Sequence, residues 1–168
     1  MDSNLTKILA FVAVVLLGFM LSHAVFGQNA DTSPPSPVTA LHEVNGFRAA
    51  NSEPPLTRHR YLDRAAGRHA KAMADQDFFS HTGAGGSIIG QRVSEAGYNW
   101  RLVAENIAAG IKDPARVVAS WIDSPGHRKN MLLPGLRHAG LAHVRRDPDP
   151  GRLSYGDYWV LVLAAPTK

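Results

Sequence analysis

Three residues of this chain combine reactive side chains with surroundings that suit chemistry: His81, Glu105 and His127. His81 follows Phe79-Ser80 and precedes Thr82-Gly83, with Gly85 and Gly86 close behind, a composition that marks a loop, where functional side chains concentrate. His127 lies in Ser124-Pro125-Gly126-His127. Ser-Pro is an N-cap and N1 pair, so this imidazole is expected in a first helical turn, where free N–H groups favour its neutral form. Glu105 sits in Ala104-Glu105-Asn106-Ile107-Ala108-Ala109-Gly110. A carboxylate in so apolar a stretch needs a partner, and a histidine or a cation is the natural one.

Two neutral imidazoles and a carboxylate form the ligand set of many catalytic zinc sites, which keep a fourth position open for water. Glu105 could equally be a general base toward water, or the three could be hydrogen-bonded residues that knit loops together. The intervals of 24 (105 − 81) and 22 (127 − 105) are far from the i, i+4 spacing of a helical HExxH site, so spacing leaves all three readings open. His69 is read as a buried structural histidine because it falls on the apolar stripe of a helix. The chain has no GxSxG elbow, Walker loop, GxGxxG or EF-hand loop, and with no cysteine it has no thiol nucleophile.

The elements that must position these side chains are legible in outline. Val38, Leu41, Val44 (or His42) and Phe47 fall near helical spacing and are stopped by Asn51 to Pro55. Leu62, Ala65, Ala66, His69, Ala70, Met73 and Ala74 define a second amphipathic helix. A short helix capped by Ser87 is expected through Gln91 and Val93, and Asp113-Pro114 opens a helix that turns Val117, Val118, Trp121 and Ile122 inward. Alternation over residues 139–144 and the β-rich run Tyr158 to Ala164 predict two antiparallel strands joined across Asp147 to Arg152. Helices first and paired strands last indicate an α+β class.

Length and composition set the frame. A chain of 168 residues, 45% hydrophobic and 19% charged, has the makeup of one globular domain. Lys7 and the 14-residue apolar run Ile8 to Leu21 read as a signal peptide over residues 1–27, or as an uncleaved membrane anchor. Asp31 to Pro37 belongs to a Pro/Ser-rich linker, residues 28–37, and one domain is expected over 38–168. Removing residues 1–27 takes away Asp2 and Lys7, so the formal charge stays at +4. The densest basic group, Arg58, Arg60, Arg64, Arg68 and Lys71, lacks interleaved aromatic platforms and reads as a solvated helix face, which excludes a nucleic-acid partner. An exported domain without cysteine has to be stabilised by its core, and about 130 residues suffice for one.

Several segments taken in order resemble the CAP superfamily, in its bacterial cysteine-free, SCP-like branch, over about residues 38–164. They are Asn45-Gly46-Phe47-Arg48 with Pro54-Pro55-Leu56, Phe79-Ser80-His81, Ala104 to Ala108, Trp121 to Ser124, Ser124 to Leu132 (SPGHRKNML) and Tyr158-Trp159-Val160. The resemblance implies a three-layer α-β-α sandwich with a central antiparallel sheet. It also implies a cleft where two histidines and two acids face a shared site, sometimes holding a divalent metal. His81, Glu105 and His127 match three of those positions, with His81 and His127 as the metal ligands and zinc as the expected ion. The fourth acid falls at Ser124, which supplies neither charge nor acid/base function, and Leu161 occupies a place often polar in this branch. The expected function is an extracellular or envelope-associated binding module for a cell-envelope polymer, lipid or peptide. The alternative is a metal-dependent hydrolase of peptides or cell-wall polymers.

Overall fold

The computed structural model describes residues 36–167. The export segment, residues 1–27, and the linker up to residue 35 lie outside the described residues.

Helix α1, Pro37–Ala50, starts where Ser36 accepts a hydrogen bond from the Val38 amide (3.2 Å) and Pro37 presets the first helical φ. Its inward stripe is Ala40, Leu41, Val44 and Arg48. Val38 and His42 are exposed and Phe47 half-buried, so the stripe is narrower than the apolar spacing suggests and includes a fully buried arginine. Helix α2, Arg60–Asp75, buries the seven residues its pattern predicts, among them four alanines that let it lie close on the sheet. Helix α3, Ile89–Glu95, begins at Ile88, whose amide is capped by the Gln91 side chain (2.9 Å); Ser87 is one residue too early to be the N-cap. Helix α4, Pro114–Asp123, has the expected cap, with Asp113 Oδ1 accepting from the Ala115 and Arg116 amides (2.7 and 3.2 Å). Helix α5, Pro125–Met131, follows at once from Ser124.

The sheet has the order β1-β3-β4-β2, with β1 at Thr57–Arg58, β2 at Trp100–Ala109, β3 at His138–Arg145 and β4 at Asp157–Pro166. β4 runs antiparallel to both β2 and β3, while two-residue β1 pairs parallel with β3, so the expected antiparallel sheet is mixed at one edge. Alternation along β4 builds both cores. Trp159, Leu161 and Leu163 pack with α1, α4 and α5, whereas Tyr158, Val160, Val162 and Ala164 pack with α2 and α3. The result is the α-β-α sandwich. Leu161, at a place expected to be polar, is fully buried opposite Leu141.

Candidate functional site

β2 is an edge strand, and its two faces split the site between the outer layers. Ile107 joins the core under α2 and α3 while Ala104 and Ala108 join the opposite one, so Glu105 points toward α2 and α3 and Asn106 points away. His81 approaches from the loop after α2 and His127 from α5. Their ring centroids are 6.1 Å apart, so the two imidazoles meet across the sheet edge.

Glu105 has only 2% of its side chain exposed, and both its oxygens are engaged. Oε1 accepts from His81 Nδ1 at 2.9 Å and Oε2 from Arg92 Nη2 at 2.8 Å. Because a carboxylate oxygen can only accept, His81 Nδ1 carries a proton toward Glu105, and Nε2, on a ring that is more than half exposed, has no partner among the described residues. His69 is buried, with Nε2 hydrogen-bonded to the Ser80 carbonyl (2.9 Å) and 4.0 Å from Glu105 Oε1. It is structural, as its place on the helix stripe indicates, yet it walls the carboxylate and holds the backbone next to His81. Arg92 is the residue that sequence reasoning does not name. The need for a cation beside Glu105 is readable, but which of the many arginines meets it depends on where α3 lands.

The segment SPGHRKNML acts on the edge strand as well as on the cleft. Asn130 Nδ2 donates to the Glu105 carbonyl (3.0 Å) and to Asn106 Oδ1 (3.0 Å), and Asn106 Nδ2 donates to the His127 carbonyl (3.0 Å). Two residues along, the buried Trp121 indole N–H donates to the Ile107 carbonyl (3.1 Å). These side chains satisfy carbonyls that an edge strand would otherwise leave for pairing with another chain. Met131 is fully buried, and its carbonyl receives Arg48 Nη1 (2.5 Å). Arg48 also donates to Pro54 O (2.9 Å), so one buried guanidinium ties α1 and the loop after it to the end of α5. Ser124, at the expected acidic position, contributes its carbonyl to Arg128 N (2.8 Å), while its side chain makes no capping bond.

A catalytic zinc needs about three protein ligands. Among the described residues no group of three His, Cys, Asp or Glu side chains is placed to hold an ion, and Glu105 has both oxygens committed to Arg92 and His81. The His81, Glu105, His127 set therefore does not fit as three ligands. Glu105 stands behind His81 as its orienting acceptor, the place that outer partners of a ligating histidine take.

Burial pushes the His127 imidazole below its ordinary pKa, and the facing His81 adds to this. The helix start therefore agrees with a neutral His127, but desolvation is the main cause. His69 and His138 are lowered too, first by burial. For each, the unfolded chain binds a proton at a pH where the folded chain does not, so stability present above about pH 6.5 is lost as the pH falls through the folded values. The melting temperature is expected to drop between pH 7.5 and pH 5, less steeply in His127→Gln. A flat or rising profile contradicts this assignment.

Residues 41–163 match the model of the Cysteine-rich secretory protein family, CAP. The chain is 32% identical over 121 residues to the uncharacterized protein YkwD of Bacillus subtilis, covering 69% of this chain and 47% of that one. It is 30% identical over 78 residues to the uncharacterized membrane protein YlbC of the same organism, covering 46% of this chain and 22% of that one. The chain thus spans less than half the length of these curated relatives. Among solved structures, an extracellular SCP-domain protein of Bacillus anthracis superposes with a TM-score of 0.66 at 25% identity, covering 76% of this chain and 39% of that one. An outer surface protein of Borrelia burgdorferi gives 0.69 at 20% identity, covering 77% and 92% and supporting the fold alone. Three of these relatives are described as a membrane, an extracellular and an outer surface protein, and this chain, cysteine-free and matched over most of its length, belongs to the CAP family.

Proposed function

We propose that the chain is an extracytoplasmic binding module whose cleft takes a cell-envelope polymer bearing hydroxyl and amide groups. The observation that carries this reading is the double engagement of Glu105 by Arg92 and His81. It ties up the carboxylate and leaves His81 Nε2 free to hydrogen-bond a ligand opposite the neutral His127. Two residues before His81, Phe79 is exposed and stacks edge-on with exposed Tyr155 (ring centroids 5.7 Å). Exposed aromatics beside a few oriented polar groups suit a polymer with apolar sugar or side-chain faces better than a free lipid chain, which needs an enclosed apolar slot.

Sedimentation of the purified protein with insoluble cell-wall material tests the proposal. Saturable retention is expected, unchanged by a chelator and reduced at least about tenfold in His81→Ala with His127→Ala, the loss of two polar contacts. No retention, or retention abolished by the chelator, overturns it.

A second reading rests on the same 2.9 Å contact. A buried carboxylate that fixes the tautomer of an exposed imidazole is how a general base toward water is prepared, so the alternative is a hydrolase of peptides or cell-wall polymers with His81 as base. Release of soluble fragments in the same assay, lost in His81→Ala, would favour it over binding alone.

A further inference from the structure

A pocket of about 250 Å³ lies between α2, the glycine loop at residues 83–87 and α3, with Arg92 in its lining. Neither His81 nor His127 lines it. Two of its charged groups are unused. Arg68 on α2 and Glu95 on α3 are exposed and take part in no ion pair or side-chain hydrogen bond among the described residues. Arg92, about nine-tenths buried, places Nη1 on the Ser87 carbonyl (2.7 Å) and Nη2 on Glu105 (2.8 Å), while its Nε–H is buried without any partner. His69, whose Nε2 is taken by Ser80, also lines the pocket. An orphaned donor on a buried guanidinium is costly, and the guanidinium that carries it belongs to a residue lining the pocket.

The charges choose the kind of molecule. Arg92 is balanced by Glu105, and Arg68 is balanced across the pocket by Glu95, so the site has no net charge to attract a polyanion. Opposite signs on opposite walls, α2 and α3, fit a small molecule that carries both. We propose that this pocket binds a zwitterion, a free amino acid or dipeptide, with its carboxylate toward Arg68 and Arg92 and its ammonium toward Glu95. Since Arg92 also holds Glu105, which orients His81, occupancy of the pocket bears on the cleft through two consecutive hydrogen bonds. Coupling of this kind runs in both directions. The chemical class of the pocket's occupant follows from its own lining and not from what the cleft binds.

The test is an NMR titration of the full chain with the free amino acids and dialanine, following backbone amides and the His81 ring. Saturable shifts are expected at Ala65, Ala72, Gly83 and Gly85, with dissociation in the millimolar range or tighter. Affinity should fall at least about tenfold in Arg68→Ala and again in Glu95→Gln, the usual loss for a charge-assisted contact. Both positions are exposed, so the variants keep the fold. N-acetylalanine amide, which has neither charge, should not bind. The His81 ring signal should move on saturation in the wild type. Absence of saturable shifts up to about 10 mM, indifference to both substitutions, or equal binding of the capped molecule overturns the site. A His81 signal that stays still at saturation overturns the coupling.

Discussion

Gly140→Ala is expected to cost about 4 kcal/mol or more, or to prevent folding, the outcome of an overpacked site whose neighbours cannot yield. Gly140 lies on β3 where α2 crosses the sheet, and a Cβ added there would land on the Leu62 carbonyl carbon and the Asp63 amide nitrogen. A side chain in the way can rotate; the backbone of a helix cannot. α2 would have to lift off the sheet, and with it the seven buried residues of its stripe, His69 included. The same helix supplies the control. At Gly67 an added Cβ meets only the Ala142 Cβ at 4.0 Å, an ordinary contact, so Gly67→Ala should stabilise by about 0.5–1 kcal/mol through helix propensity alone. Denaturant unfolding of the two variants decides the matter. If Gly140→Ala unfolds within about 1 kcal/mol of the wild type, the close approach of α2 to β3 is wrong.

The same crossing shows which parts of the fold can be read from sequence. The stripe of α2 is legible because its apolar spacing is periodic over four turns, and the Asp113-Pro114 cap because a cap is a local event. β3 and β4 are legible because strand propensity and burial agree there. β2 is not, since Trp100–Ala109 carries Glu105 and Asn106 at its centre and alanines around them, a pattern that only the sheet edge explains. Nor is β1, whose two residues gain their structure from β3. Within the site, the requirement that Glu105 find a histidine or a cation follows from its apolar neighbours. The structure brings it both, His81 from a loop 24 residues away and Arg92 from a helix 13 residues away. His127 comes from the other face of the sheet, so it joins His81 without joining Glu105. No linear spacing encodes that separation, because it depends on β2 being at the edge.

Arg92→Ala should destabilise the domain by about 3–5 kcal/mol, the usual cost of leaving one member of a buried ion pair alone. Glu105, whose side chain is 2% exposed with Arg92 in place, would keep only His81 as a hydrogen-bond partner for its carboxylate. Removal of both charged groups has a different consequence. Arg92→Met with Glu105→Leu replaces the pair by apolar residues, and such replacements are commonly neutral or better for stability, so the double variant should recover most of the loss. It should not recover binding to envelope polymer. Without Glu105 the His81 ring has no acceptor at Nδ1, its orientation is released, and Nε2 is no longer held in place. Stability and function therefore separate between the single and the double variant, measured by denaturation and by cell-wall sedimentation. A double variant that regains both would make Glu105 a structural bridge and nothing more. One that regains stability while retention stays at the level of His81→Ala assigns the carboxylate to the cleft, with Arg92 as the residue that allows a charge to stand in the interior.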